Sequence, residues 1–388
     1  MLMAFIKRAA GFPLYWVLLT IFRWIGFGRV VPTGKVFVFK PDRIGDFVLA
    51  CGAIRFLCRQ YGAGEVTLLV SSLVRPLAER EFPGCRILTV HLPLSRDGDH
   101  WRKVLWKRWQ NVRRSNHRRG YEKMVNLRHH PTLLDDLLLG SFRSRDSYGA
   151  TLAPLGGRHW KRRLRTFVPR YAVKYPNNLP VELECLELEA HRQVVQLLAG
   201  RAVTAAEIRP RLEMVATADD GFLLVTPHGS DPLRDYPPAS LAQGIQAGGI
   251  PSHAPIILCG EPARSEELQA LADLLRVRVP NPVRVVHPQG LLEFVDYVAR
   301  AHCVISAESA AAHITTAMDK RGIFILGGGH FGFFAPWRRS TLQTWLQLPM
   351  SCYGCDWHCI HPEVKCIRDL PPSFLAEALA LQWHHREN

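Results

Sequence analysis

Short apolar runs alternate, from residue 35 onward, with longer segments whose apolar positions recur at helical spacing. Lys35–Lys40 (KVFVFK), Glu65–Val70 (EVTLLV), Arg86–Val90 (RILTV) and Lys123–Leu127 read as strands, and Asp46–Gln60 reads as a helix. Residues 141–210 are less regular, with Pro, Gly and Arg clusters and then a helix-like stretch, Val181–Leu198. The alternation restarts at Phe222–Thr226 (FLLVT) and continues through the strand-like runs Pro255–Cys259, Val283–Val286, Cys303–Ser306 and Ile323–Leu326. Helical segments separate them at Pro238–Gln246, Ala263–Leu275, Leu291–Arg300 and Ser309–Met318, and a last helix is predicted at Pro372–Trp383. Such alternation builds parallel sheets covered by helices. It predicts an α/β protein with two Rossmann-like domains facing each other across a cleft at the carboxyl ends of their strands. The expected division is a segment at 1–30, a domain at 31–205, a second at 206–371 and a closing helix at 372–388.

The N-terminal run Gly11–Phe27 (GFPLYWVLLTIFRWIGF) is flanked by Lys7, Arg8 and Arg29. No small-residue cleavage site follows it. Pro13 and Arg23 interrupt a run already shorter than the about 20 apolar residues of a membrane span. It reads either as a segment lying in the membrane interface, with Trp16 and Trp24 at headgroup depth, or as a helix on the protein's own surface.

Charge sharpens the picture. The chain of 388 residues carries a net charge of +15, which favours an acidic partner: nucleic acid, an anionic membrane face or a phosphorylated substrate. Trp101–Arg119 (WRKVLWKRWQNVRRSNHRR) holds eight Lys/Arg, no acid and three tryptophans. This suits an anionic lipid surface or a phosphorylated lipid-linked acceptor, or else a solvated helix face. No nucleic-acid module accompanies it, so no nucleic acid is expected as a partner. Six of the ten cysteines are scattered, several within apolar runs, which suits a reducing compartment. Cys352, Cys355, Cys359 and Cys366 are close-set and read either as structural zinc ligands, with His358 and His361 as further candidates, or as thiols of a local knot.

Four stretches carry candidate chemistry. After the first strand, Gly45 permits a tight turn and Asp46 falls at a helix start, where the dipole keeps a carboxylate ionised. Such an Asp can take a proton from an attacking hydroxyl, or be no more than an N-cap or first-turn residue. The G-x-G-x-x-G pattern is absent here, which argues against a dinucleotide-binding dehydrogenase. Gly327-Gly328-Gly329 can offer amides to a phosphate or be a flexible turn. In Thr226–Pro238, Arg234 can clamp a diphosphate with its planar fork or pair with Asp235. In Ser306–His313 (SAESAAAH), small residues at a strand-to-helix junction form an anion site, with Glu308 placed to accept sugar hydroxyls. The alternative is a capped Ala-rich core helix with His313 satisfied internally.

Taken together these stretches resemble glycosyltransferase family 9, the ADP-heptose:lipopolysaccharide heptosyltransferases. VFVFKPDRIGDFVLACGAIRFLCRQYG is similar to the family's opening, PHGSDPLRDYPPASLAQGI to its basic loop, and ISAESAAAHITTAMDKRGIFIL to its donor-site helix. Ala335–Trp337 (APW) also fits. The resemblance implies a GT-B architecture and an inverting, metal-independent displacement. It makes Asp46 the general base and places Ser230, Arg234, Glu308, Ser309, Ala310, Ala311 and His313 at the donor. It places Arg43, Gly45 and Arg128 at the acceptor. It implies no cofactor beyond a nucleotide-sugar co-substrate, ADP-heptose, and a lipid-linked acidic glycan acceptor of the lipopolysaccharide inner core. The expected location is the cytoplasmic side, peripheral to the membrane. The sequence departs from the family pattern at Glu308 (Asp in the family), Ala310 (Gly), Tyr236 (Trp), His330 (often Asp) and Asn126–His129. Two other expectations stand beside this one: a transferase of the same fold using a UDP- or GDP-sugar, and a non-catalytic basic membrane- or nucleic-acid-binding protein.

Overall fold

The structure is a computed structural model that describes residues 31–90, 119–128, 142–152, 177–181, 186–213, 219–229, 231–338, 340–355, 357 and 359–384. The readings of 1–30 and of 101–118 fall outside these residues. The described chain divides into two compact units, one within Met1–Arg43 and Gly52–Arg209, the other within Ile44–Cys51 and Pro210–Asn388.

The first unit is built on six parallel strands: β1 (Val31–Lys40), β2 (Val66–Ser71), β3 (Arg86–Val90), β4 (Arg119–Asn126), β5 (Arg143–Leu152) and β6 (Asn177–Val181). They lie in the order β3-β2-β1-β4-β5-β6. The part of α1 (Ile44–Tyr61) from Gly52 onward, α2 (Arg75–Glu81) and α3 (Glu187–Ala199) complete it, and Ile44–Cys51 of α1 group with the second unit. Val36, Phe37, Val38 and Phe39 of β1 are all buried, as a central parallel strand covered on both faces requires. Phe37 stacks on Phe142 and leans on Tyr121.

The second unit repeats the plan with β7 (Leu223–Thr226), α4 (Pro238–Ala247), β8 (Ile256–Cys259), α5 (Ser265–Arg278), β9 (Val283–Val286), α6 (Leu291–Arg300), β10 (Cys303–Ala307), α7 (Ala310–Ala317), β11 (Gly322–Ile325) and β12 (Gln343–Leu346). The single turn α8 (Lys365–Arg368) and α9 (Pro372–His384) follow. The strand order, β12-β11-β10-β7-β8-β9, is that of the first sheet with the element numbers advanced by six and read from the other edge. All its pairings are parallel. Helix α9 packs on α4, where Leu375 and Leu379 join the core of Leu241, Ile245, Leu268 and Leu271.

The strand-like runs read from the sequence are strands, with ends moved by no more than four residues and two runs, Arg86–Val90 and Val283–Val286, unchanged. Three strands were not foreseen. β5 is largely polar, and β6 and β12 are edge strands, so neither pattern nor burial announces them. β6 carries Pro180, which an edge tolerates. The helix expected from Val181 starts at Glu187, because Val181 ends β6. No helix among the described residues is long and apolar enough to cross a membrane.

Gly52, inside α1, allows a close approach of the chain leaving the unit. A Cβ built there would lie 1.8 Å from the Ile208 carbonyl oxygen. Helix propensity alone would make Gly52→Ala stabilising by about 1 kcal/mol. The expected outcome is instead a loss of about 2 kcal/mol or more, read as a lowered urea midpoint, because backbone must move to admit the methyl.

Candidate active site

In a sheet of order 3-2-1-4-5-6, the strand order reverses between the first and fourth strands, and the connections there leave to opposite faces. The gap beyond their carboxyl ends is where such folds bind ligands. In each unit the candidate residues fall on the segments leaving that pair of strands.

In the first unit β1 runs into Lys40–Arg43 and β4 into Leu127-Arg128. Lys40 is buried to 1 % exposure and donates to Leu127 O (3.0 Å). It also pairs with Glu187, buried to the same degree at the start of α3, and with Asp42 (3.1 Å). His191, one turn on in α3, donates from Nε2 to Leu127 O (2.8 Å). The Asp42 carboxylate forms an ion pair with Arg128, Oδ1 to Nε 2.7 Å, and the Asp42 carbonyl accepts from Ser71 Oγ at 2.8 Å. The ends of β1, β2 and β4 are thereby tied to α3 through one charged network. Arg128, expected at the acceptor, is one of its members. Arg43 is exposed and stands at the N-cap position of α1 without a side-chain cap bond, and Asp46 follows in the first turn. The reading of Asp46 as an N-cap is corrected accordingly, since that position is taken by Arg43.

In the second unit Arg234 ends a short 3-10 turn, Pro232–Arg234, that Asp231 opens by accepting from Leu233 N (3.2 Å). The alternative pairing of Arg234 with Asp235 is overturned: Asp235 takes Arg264 (2.7 Å) and the Gly229 amide (2.8 Å). Arg234 faces Glu308 instead, Nη1 to Oε1 3.9 Å, with its guanidinium over the Trp357 ring at 5.0 Å. Glu308, 4 % exposed, accepts from His330 Nδ1 (3.1 Å) on the same oxygen. Its other oxygen, Oε2, is buried and has no hydrogen-bond partner among the described residues, and neither has Arg234 Nε. Ser230 lies outside the described residues.

Ser309 caps α7. Its Oγ accepts from Ala311 N (3.3 Å) and bonds Ser306 Oγ (3.0 Å), whose own proton goes to Ala307 O. The Ala311 amide, expected to face a phosphate, is therefore used by the cap. The neighbouring first-turn amides of Ala310 and Ala312 have no intrahelical acceptor, as at any helix start. His313 is buried and accepts on Nδ1 from Trp337 Nε1 (3.1 Å), which gives the Ala335–Trp337 motif its task. Gly45, which groups with this unit, lies against the other edge of that ring: a Cβ there would meet His313 Cδ2 at 2.8 Å. Tyr236 belongs to the core, donating to Leu370 O (2.7 Å).

His228, Asp235 and Glu267 offer ligand atoms within 4.8 Å of one another. Arg264 already pairs with both carboxylates, so a cation holds that place and the group works as an ion-pair lattice fixing the loop after β7. Burial and then Arg264 push the His228 pKa down. At the late cysteines, Cys366 Sγ accepts from Gly328 N (3.4 Å) and Cys359 Sγ lies 3.6 Å from Glu363 O. Burial, reinforced by neighbouring thiols, raises the Cys355 and Cys366 pKa values. His358 lies outside the described residues. The glycine run has a packing role: a Cβ on Gly327 or Gly329 would strike Trp357, and one on Gly328 would strike Tyr353.

The structure thus brings Arg234, Glu308 and Ser309 to one strand-to-helix junction and Asp42, Arg128 and Lys40 to another. Sequence reading missed Lys40, Glu187, Trp337 as the partner of His313, and Trp357. Only Trp337 carried a local signal.

Two parallel sheets of this order, with the candidate residues at their switch points, are the architecture of the GT-B fold. Residues 178–356 match the model of glycosyltransferase family 9 (heptosyltransferase). It is similar to E. coli heptosyltransferase WaaC solved with ADP-2-deoxy-2-fluoro heptose, at 15 % identity and TM-score 0.59, covering 89 % of this chain and 97 % of that one. It is similar to E. coli ADP-heptose lps heptosyltransferase II at 15 % identity and TM-score 0.58, covering 90 % and 98 %. A family 9 glycosyl transferase from Veillonella parvula matches at 13 % identity and TM-score 0.64, covering 91 % and 98 %. No curated protein sequence matches the chain.

Lys40→Met leaves the Glu187 carboxylate buried beside Asp42 without its cation. Breaking one side of such a pair costs about 3–5 kcal/mol, and chemical denaturation is expected to show a loss of that size.

Proposed function

We propose that the protein transfers a heptose from ADP-heptose to an acidic, lipid-linked acceptor of the lipopolysaccharide inner core, with inversion and without a metal. The observation that carries the reading is Glu308: a carboxylate almost wholly buried, held on one oxygen by His330 and faced by Arg234, with the second oxygen unpartnered among the described residues. A buried acceptor left without a donor is costly unless a ligand supplies one, and a sugar hydroxyl does so. Arg234 and the N-terminus of α7 stabilise charge developing on the departing diphosphate, the part a divalent cation plays elsewhere. Asp46, in the first turn of α1, takes the proton of the acceptor hydroxyl as its oxygen attacks the anomeric carbon. Arg43 and Arg128 meet acidic groups of the acceptor. The choice of ADP rests on E. coli heptosyltransferase WaaC, solved with ADP and with ADP-2-deoxy-2-fluoro heptose. The net charge of +15 and the Trp101–Arg119 stretch favour work at an anionic membrane face.

The test is release of ADP from ADP-heptose in the presence of a Kdo-bearing lipid acceptor, beside UDP- and GDP-sugars. Asp46→Asn is expected to lower kcat by about 10²–10⁴-fold while ADP affinity stays within about twofold. Turnover of the variant at the wild-type rate removes Asp46 from the mechanism, and preference for a UDP- or GDP-sugar replaces the donor.

A further inference from the structure

Trp357 sits in a position that its neighbours pay for in backbone freedom. Its φ is +59°, a left-handed conformation that a bulky residue rarely adopts. Gly327 and Gly329 lack side chains where its ring lies: a Cβ on either would come within 2.5 Å of indole carbons. Its Nε1–H is buried and has no acceptor among the described residues, so none of them holds it there by a hydrogen bond from the indole. What its ring face meets is the guanidinium of Arg234, 5.0 Å from the ring centroid. His330, which donates to Glu308, stands edge-on to the same ring at 5.6 Å. Strained backbone kept at one residue marks a place where position matters more than local stability.

We propose that Trp357 is a positioning residue of the donor site: its ring is the floor over which the Arg234 guanidinium is held, with its fork turned to the diphosphate. The inference rests on the donor-site reading of Arg234 and Glu308. A cation over an indole face is attracted by the ring quadrupole, and a guanidinium stacks there where an ammonium does not. Held over the ring, Arg234 keeps two parallel N–H groups for two phosphate oxygens and loses less freedom on binding. The Gly-Gly-Gly run clears the space for that floor, and the close-set cysteines flank it in sequence.

Calorimetric titration of the full chain with ADP tests this, with the thermal transition of each variant measured beside it. Trp357→Leu is expected to weaken ADP binding about 5- to 30-fold, and Trp357→Phe, which keeps a ring face, by no more than about 3-fold. In an Arg234→Ala background, Trp357→Leu is expected to change ADP affinity by less than about 2-fold, since a floor with nothing on it has no effect. Arg234→Lys leaves Trp357 in its seat and keeps the charge, and is expected to lose a factor like that of Trp357→Leu. That arm decides the matter should Trp357→Leu fail to fold. Equal penalties of Trp357→Leu in the two backgrounds, or Arg234→Lys binding ADP as wild type does, overturn the proposal while wild-type ADP binding keeps the functional reading. A wild-type protein that binds none of ADP, UDP and GDP overturns both.

Discussion

A carboxylate taken almost completely out of water, with one oxygen satisfied and the other not, is the constraint around which the second unit's site is arranged. Glu308 reaches that state because β10 delivers it to the carboxyl edge of a sheet whose neighbouring strands are fully buried. His330 and Arg234 approach one of its oxygens from two different loops. Two cationic or polar neighbours keep a buried acid from being an unpaired charge, yet they leave Oε2 for something that is not protein. The Ser309 cap fixes where α7 starts, and so where its first amides point.

The two sheets share one strand order, and the same geometry therefore produces a site-forming edge twice. What the edges carry differs. The first is tied down by charge: Lys40, Glu187, Asp42, Arg128 and His191 lock the loop after β1 to the end of β4 and to α3. The second is assembled from small residues, a helix start and a cation on an aromatic floor. A network of buried ions holds a loop in one geometry but contributes little net stability. Its value lies in specifying that geometry for the Asp46-bearing turn.

Much of this was legible in the chain because much of it is local. β1, β7, β8 and β10 are apolar on both faces, and a run of Val, Ile, Leu and Phe says so directly. Asp46, Glu308 and Ser309 sit at strand-to-helix junctions, where the type of residue and the junction suffice to mark them. β5, β6 and β12 escaped because a polar strand or an edge strand has no pattern to show. The Lys40–Glu187 pair joins residues 147 positions apart, and nothing near either one points to the other. Arg234 and Asp235 are adjacent in sequence, and adjacency misled: the 3-10 turn sends their side chains to different partners, Glu308 and Arg264. The glycine run looked like a phosphate loop, and the reason for its composition, the rings of Trp357 and Tyr353, lies in a segment some thirty residues later.

The most direct measurement is a crystal structure of the protein with an ADP-heptose analogue that does not turn over. The account predicts a donor hydroxyl within hydrogen-bond distance of Glu308 Oε2 and phosphate oxygens on the guanidinium of Arg234. A nucleotide-sugar bound with Glu308 Oε2 still unpartnered and Arg234 turned away would contradict it.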